Sequence, residues 1–280
     1  MYFSEKSIED MRERFHSLPQ RLDKLIAMYS NRQYRSDEAR QFAIYGFVRR
    51  AQILRHTIEE VFDKLPPDND LVPEIESRTA ALVNLHAFTM STFGAIDNLA
   101  WVWVKEKNIR YPDGTTIRMH NIGLGPKNTY IRGTFSAEFQ QHLRSLKRWF
   151  KNLERLRHAL AHRMPYYIPP CSILTKDETR YQELFTLRQQ AIGNHGQYEA
   201  LTAEQKALEF FQPVLRNDYQ RVDIIVFHPQ MLADFDVIEE LGSRMFAELD
   251  RDILEPAPIS RWKAWLLEAR REWCVRLCRD

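Results

Sequence analysis

The sequence predicts an all-α fold, an up-and-down bundle of long helices with a minor β element. Glycine is scarce, at 9 residues in 280, and a glycine-poor chain favours helix over turn-rich β structure. Apolar residues recur at three- and four-residue steps over long stretches. Prolines punctuate those stretches at Pro66-Pro67, Pro73 and Pro165, where helices end or begin.

In chain order, residues 7–30 read as a charged amphipathic helix, bent or broken at Pro19. Ser36-Asp37-Glu38 reads as a helix start. That helix carries Phe42, Tyr45, Val48, Ile58, Val61 and Phe62 on one stripe and closes near Leu65, before Pro66-Pro67. Pro73 opens a third helix that continues to about Lys107. From Phe88 to Val104 it is apolar nearly all round, as expected of a helix at the centre of a bundle. Tyr111-Pro112-Asp113-Gly114-Thr115 is a turn flanked by alternating residues, which predicts a small hairpin over 109–119. The motif helix follows at about 135–164, capped by Thr134 or Ser136.

Beyond Pro170 the pattern weakens. Short strands are expected near 166–174 and 221–227, paired with one another. Helices are expected over 177–192, 202–211 and 231–254, the last one acidic, with a final helix from Ser260. No repeat, low-complexity tract or linker divides the chain. Residues 1–280 therefore read as one domain with an elaborated C-terminal region, 165–280.

The net charge of +2 does not announce a nucleic-acid partner for the whole chain. The charge is uneven, however. From Lys105 to Arg163 there are 13 Lys/Arg against 4 Asp/Glu, so the remainder is about −7. A basic segment of this kind is the footprint of a site that meets a phosphate backbone, although a basic half facing an acidic half would look the same. Three scattered cysteines make no disulfide framework. The N-terminal stretch is too charged for a signal peptide. The apolar run from Ala87 to Val104 is interrupted by Asp97 and Asn98, which argues against a membrane span. A cytoplasmic protein is expected.

The chemistry gathers at the end of the motif helix, LERLRHALAHRMPYYIPP, Leu153 to Pro170. His158 and His162 are spaced i, i+4 and lie on one face. Arg157 stands about 100° round the helix, with a stem long enough to swing back. A guanidinium with two imidazoles suits a phosphate, because Arg binds its charge and His moves protons. Lys147, Arg148, Lys151, Arg155 and Arg163 extend the positive charge along the same helix, as candidate RNA contacts. Asp97 needs a partner within its apolar helix. Arg157 or a motif histidine could serve, and so could a neighbouring Asn, Thr or Trp side chain. The two histidines have zinc-gripping spacing, but no Glu follows His158 and only Cys171 and His195 stand as further ligands. No metal or other cofactor is expected.

The run Arg157-His158-Ala159-Leu160-Ala161-His162 resembles the motif of the HEPN superfamily, an Arg, a polar residue, a few small or apolar residues, then His. The family most often has Asn after the Arg, where this chain has His158. The resemblance implies a small helical bundle and a metal-independent endoribonuclease, often in toxin–antitoxin or antiviral systems. It further implies a site formed where two copies of the motif meet across a homodimer. In that scheme a ribose 2′-hydroxyl attacks the adjacent phosphate. His162 is general base or acid, Arg157 stabilises phosphate charge, His158 positions the phosphate or shares proton transfer, and Asp97 supports them. A second reading keeps the module without catalysis, binding RNA, a nucleotide or a partner protein such as a nucleotidyltransferase or an antitoxin.

Overall fold

A computed structural model of the protein describes residues 2–216 and 224–252. The final helix expected from Ser260, with Cys274 and Cys278, and residues 221–223 of the expected strand lie outside the described residues. Within them the fold is all-α with a minor β element.

Ser4 accepts from the Ser7 amide and opens α1 (Glu5–Ser30). The helix continues through Pro19 without the expected break, burying Ile8, Met11, Leu18, Leu22, Leu25 and Tyr29 along one stripe. Ser36 then caps α2 (Asp37–Gln41) by accepting from the Ala39 amide. A π-helical stretch, Phe42–Val48, leads without interruption into α3 (Arg49–Lys64), so the expected helix is present with a widened section inside it. The long α4 (Ile75–Glu106) spans ~48 Å at the α-helical rise. Its buried residues include Leu85, Phe88, Ile96, Leu99 and Trp103, and it packs against α3, α7 and α10.

The expected 109–119 hairpin is reduced to one bridge between Arg110 and Thr116. Its turn is as expected, with the Tyr111 amide donating to Thr115 O (2.9 Å) and Gly114 at φ 79°. Pro112 has no N–H to lengthen the ladder, and Ile109 and Ile117 are committed to the core.

After the short α5 (Thr129–Gly133), the motif helix is broken in two: α6 (Ala137–Ser145), capped by Ser136, and α7 (Lys147–His162). Leu146 has ψ 7° at the break. The Ser145 hydroxyl donates to His142 O (2.7 Å), a local bond that competes with the helical ladder. Beyond α7, Arg163 is extended and Tyr166 is buried against α4. The Tyr166 hydroxyl donates to Leu85 O (3.2 Å), and its carbonyl lies 3.0 Å from His86 Nε2.

The β element differs from expectation in pairing. β1 (Ser172–Ile173) pairs with β2 (Glu209–Phe210), and β3 (Val214–Arg216) with β4 (Ile224–Val226), both antiparallel. The Tyr166 segment reaches that second pair through a Tyr167–Arg216 bridge on β3, not by pairing with β4. β2 occupies residues expected to be helical, and the helix before it starts earlier. α8 (Glu178–Gln190) is followed by α9 (His195–Lys206), capped by Asn194.

α10 (Phe227–Glu248) begins four residues before the expected start, with Pro229 in its first turn, a position that needs no N–H. Its carboxylates Asp236 and Glu239 are paired with Arg14 and Arg21 of α1, and the Tyr29 hydroxyl donates to Gly242 O (2.8 Å). The acidic helix is therefore neutralised in part by α1, with Glu240 and Glu248 paired to Arg244 and Arg251. No helix among the described residues is long and apolar enough to cross a membrane.

Asp234 fastens α10 to the motif helix. Its Oδ1 accepts from Trp149 Nε1 (2.7 Å) and Gln230 Nε2 (2.8 Å). Burial pushes its carboxyl from 3.8 up to about 6, against the pull of those two bonds. A carboxyl raised on folding contributes fully below its unfolded value, and that contribution is lost as pH rises through about 6. Asp234→Asn keeps an acceptor for both donors and removes the buried charge. Its unfolding free energy from denaturant titration is expected to exceed that of wild type above pH 6, by about 1–3 kcal/mol, and to converge with it near pH 4. A wild-type advantage that grows from pH 4 to 7 would contradict this.

Candidate functional site

The site is built where α7 crosses α4. Phe150, Leu153, Leu156 and Ala159 form the buried stripe of α7, and Arg157 stands at its edge. The Arg157 guanidinium lies over the Phe93 ring, 5.0 Å from its centroid. Its Nε is buried without a hydrogen-bond partner among the described residues. An unpaired buried donor on a charged group is costly, and the cation–π contact returns part of that cost.

Asp97 follows Phe93 by one turn of α4. Burial raises its carboxyl from 3.8 to about 6, opposed by the charges of Arg157 and of Arg50. Of the partners considered from sequence, Arg157 is thus the one that acts on Asp97. A second, unexpected arginine acts on it as well. Neither arginine makes a direct ion pair with Asp97 among the described residues.

The histidines stand elsewhere on α7. The rings of His158 and His162 are 5.8 Å apart between centroids, and His158 Nε2 is 3.8 Å from Glu154 Oε1. Glu154 also receives Lys127 Nζ at 2.7 Å. His162 is the last residue of α7 and is exposed. The five-residue step from Arg157 to His162 turns about 140° round the axis. The structure therefore gathers the two imidazoles on one side and places Arg157 with Asp97 on another.

The flanking cations follow the imidazoles. Lys147, Lys151, Arg155, His158 and His162 fall within about 80° of one another on the helical wheel. Arg148 borders that stripe, and Arg163 lies past the helix end. All five cations are exposed. Among the described residues of the acidic half, Asp236 and Glu239 are taken up by α1, while Glu240 meets Arg244 and His142.

Reasoning from sequence missed Phe93, Arg50 and Asn98. Arg50 Nε donates to Asn98 Oδ1 (3.0 Å). A Cβ on Gly46 would lie 2.7 Å from the Asn98 side chain, and one on Gly94 would overlap the Arg50 guanidinium. A signal was present. Gly46 and Gly94 sit inside long helical stretches of a glycine-poor chain, where glycine costs about 1 kcal/mol relative to alanine. A glycine so placed marks a close approach.

Arrayed this way, the residues offer a half-buried guanidinium, a carboxyl that titrates near 6, two accessible imidazoles and a cationic track. That set can bind a phosphate and move protons, and it includes no group of three His, Cys, Asp or Glu placed to hold a metal among the described residues. No protein-family model, curated protein or solved structure matches the chain.

Proposed function

We propose that the protein is a metal-independent endoribonuclease of the HEPN type, working as a homodimer in a toxin–antitoxin or antiviral role. The observation that carries this reading is Arg157. It is held on Phe93 beside Asp97, with a buried Nε that no group among the described residues satisfies, on the same helix as an accessible histidine pair. The 2′-hydroxyl of a ribose attacks the adjacent phosphorus, and the bond to the 5′-oxygen of the next nucleotide breaks. A 2′,3′-cyclic phosphate and a free 5′-hydroxyl result. His162 takes the 2′-proton or returns one to the leaving oxygen, and a second copy of α7 supplies the other role. Arg157 stabilises charge on the non-bridging oxygens. His158 positions the phosphate, and Lys147, Arg148, Lys151, Arg155 and Arg163 hold the strand. Pairing two copies answers the geometry within one chain, where Arg157 and His162 diverge.

The test is cleavage of total RNA in EDTA by wild type and Arg157→Ala. Wild type is expected to leave 2′,3′-cyclic phosphate ends, and Arg157→Ala to lose about 10²–10³-fold in rate. No cleavage by folded, dimeric wild type, or equal cleavage by both, would overturn the assignment.

A further inference from the structure

Arg50 lies in α3, outside the motif, and its surroundings are built around it. Gly94 leaves the space its guanidinium fills against α4, and Gly46 leaves the space for Asn98. Asn98 holds its Nε at 3.0 Å. The forked end, Nη1 and Nη2, has no protein partner among the described residues. Arg157 rests on Phe93, the residue next to Gly94, so both guanidiniums lie over a single turn of α4. Asp97, on the following turn, feels both charges.

The electrostatics of that turn are incomplete. Two cations face one carboxyl, and burial drives that carboxyl toward its neutral form. Two like charges that both act on one half-buried carboxyl leave a place for a further anion. A guanidinium fork matches a tetrahedral oxyanion through two parallel N–H donors. An Arg held by its Nε and open at its fork is pre-organised for that contact.

We propose that Arg50 and Arg157 form a two-guanidinium clamp for a phosphodiester group, seated over Phe93 and Gly94 and oriented by Asn98 and Asp97. The clamp deepens the assignment made above by naming a second phosphate-binding residue for the same site. It takes the phosphate whether or not the 2′-hydroxyl is present.

The probe is a fluorescently labelled single-stranded DNA oligonucleotide, which cannot undergo 2′-hydroxyl attack, titrated by anisotropy at several salt concentrations. Arg50→Ala is expected to weaken binding at least 10-fold and to lower the slope of log affinity against log salt by about 1. Arg50→Lys retains the charge and is expected to fall between the two. Asn98→Ala covers the case in which Arg50→Ala fails to fold. It frees Nε without removing the cation, and is expected to weaken binding several-fold with the salt slope unchanged. Arg49→Ala, whose guanidinium lies over Tyr45, is the control and is expected to bind as wild type does. Wild-type affinity and slope in folded Arg50→Ala and Asn98→Ala would overturn the clamp even if wild type cleaves RNA. Arg50-dependent binding by a wild type that cleaves nothing would retain the clamp and remove the ribonuclease assignment.

Discussion

His162→Ala is expected to lower the rate of RNA cleavage by about 10²–10⁴-fold, the range for removing a positioned proton-transfer group. Stability should barely change. His162 is exposed at the last position of α7 and buries nothing. A cation at a helix C-terminus contributes only about 0.3–1 kcal/mol through the macrodipole. The loss should fall on kcat, with KM within a few-fold of wild type, because the cationic stripe that holds the strand is intact. Arg157→Ala should differ, since it also removes the guanidinium stacked over Phe93. Steady-state kinetics on a defined single-stranded RNA, beside denaturant midpoints, read both effects. A His162→Ala enzyme within 3-fold of wild type would take proton transfer away from this residue.

Trp103→Ala is expected to cost about 3–5 kcal/mol, the range for truncating a buried aromatic to alanine. Trp103 is completely buried in α4. Its ring lies 4.6 Å from that of Phe135, and its Nε1 donates to Thr134 Oγ1 (2.8 Å). Those contacts join the central helix to the entry of α6, so the truncation opens a cavity where the two meet. Domains are held by about 5–15 kcal/mol, so this substitution should leave little margin. Trp103→Phe refills most of the space but loses the donor, and should cost less. Urea unfolding followed by circular dichroism measures both. A loss below about 1 kcal/mol for Trp103→Ala would mean that the surrounding helices collapse into the space.

Local signals were legible in the sequence. Ser36 and Ser136 cap helices as their types predict, and α4 runs nearly between the limits set by Pro73 and Lys107. Features that depend on distant partners were not. The break at Leu146 leaves the three- and four-residue apolar steps intact, so periodicity passes over it, while the π-helical stretch Phe42–Val48 buries Ala43, Phe47 and Val48 and leaves Tyr45, expected on the buried stripe, exposed. β3 has three residues and no room to alternate. The candidate site divides in the same way. Arg157 and the histidines announce themselves by spacing within one helix, while Arg50 and Asn98 meet across 48 positions of chain. Only the glycines that admit them left a mark.

Tyr166 has a further consequence. Arg157 touches α4 at Phe93, and nine residues later Tyr166 grips the same helix at Leu85 and His86. The segment between them is a handle fixed at both ends, and His158 and His162 are on it. A handle so fixed can flex but cannot swing away, so a ligand meets imidazoles already confined, and less freedom is lost on binding. The second fastening also isolates the handle from the C-terminal region. Insertions or deletions between Pro170 and Arg216 pull first on Tyr166, and its hydrogen bonds to α4 must yield before either histidine is displaced.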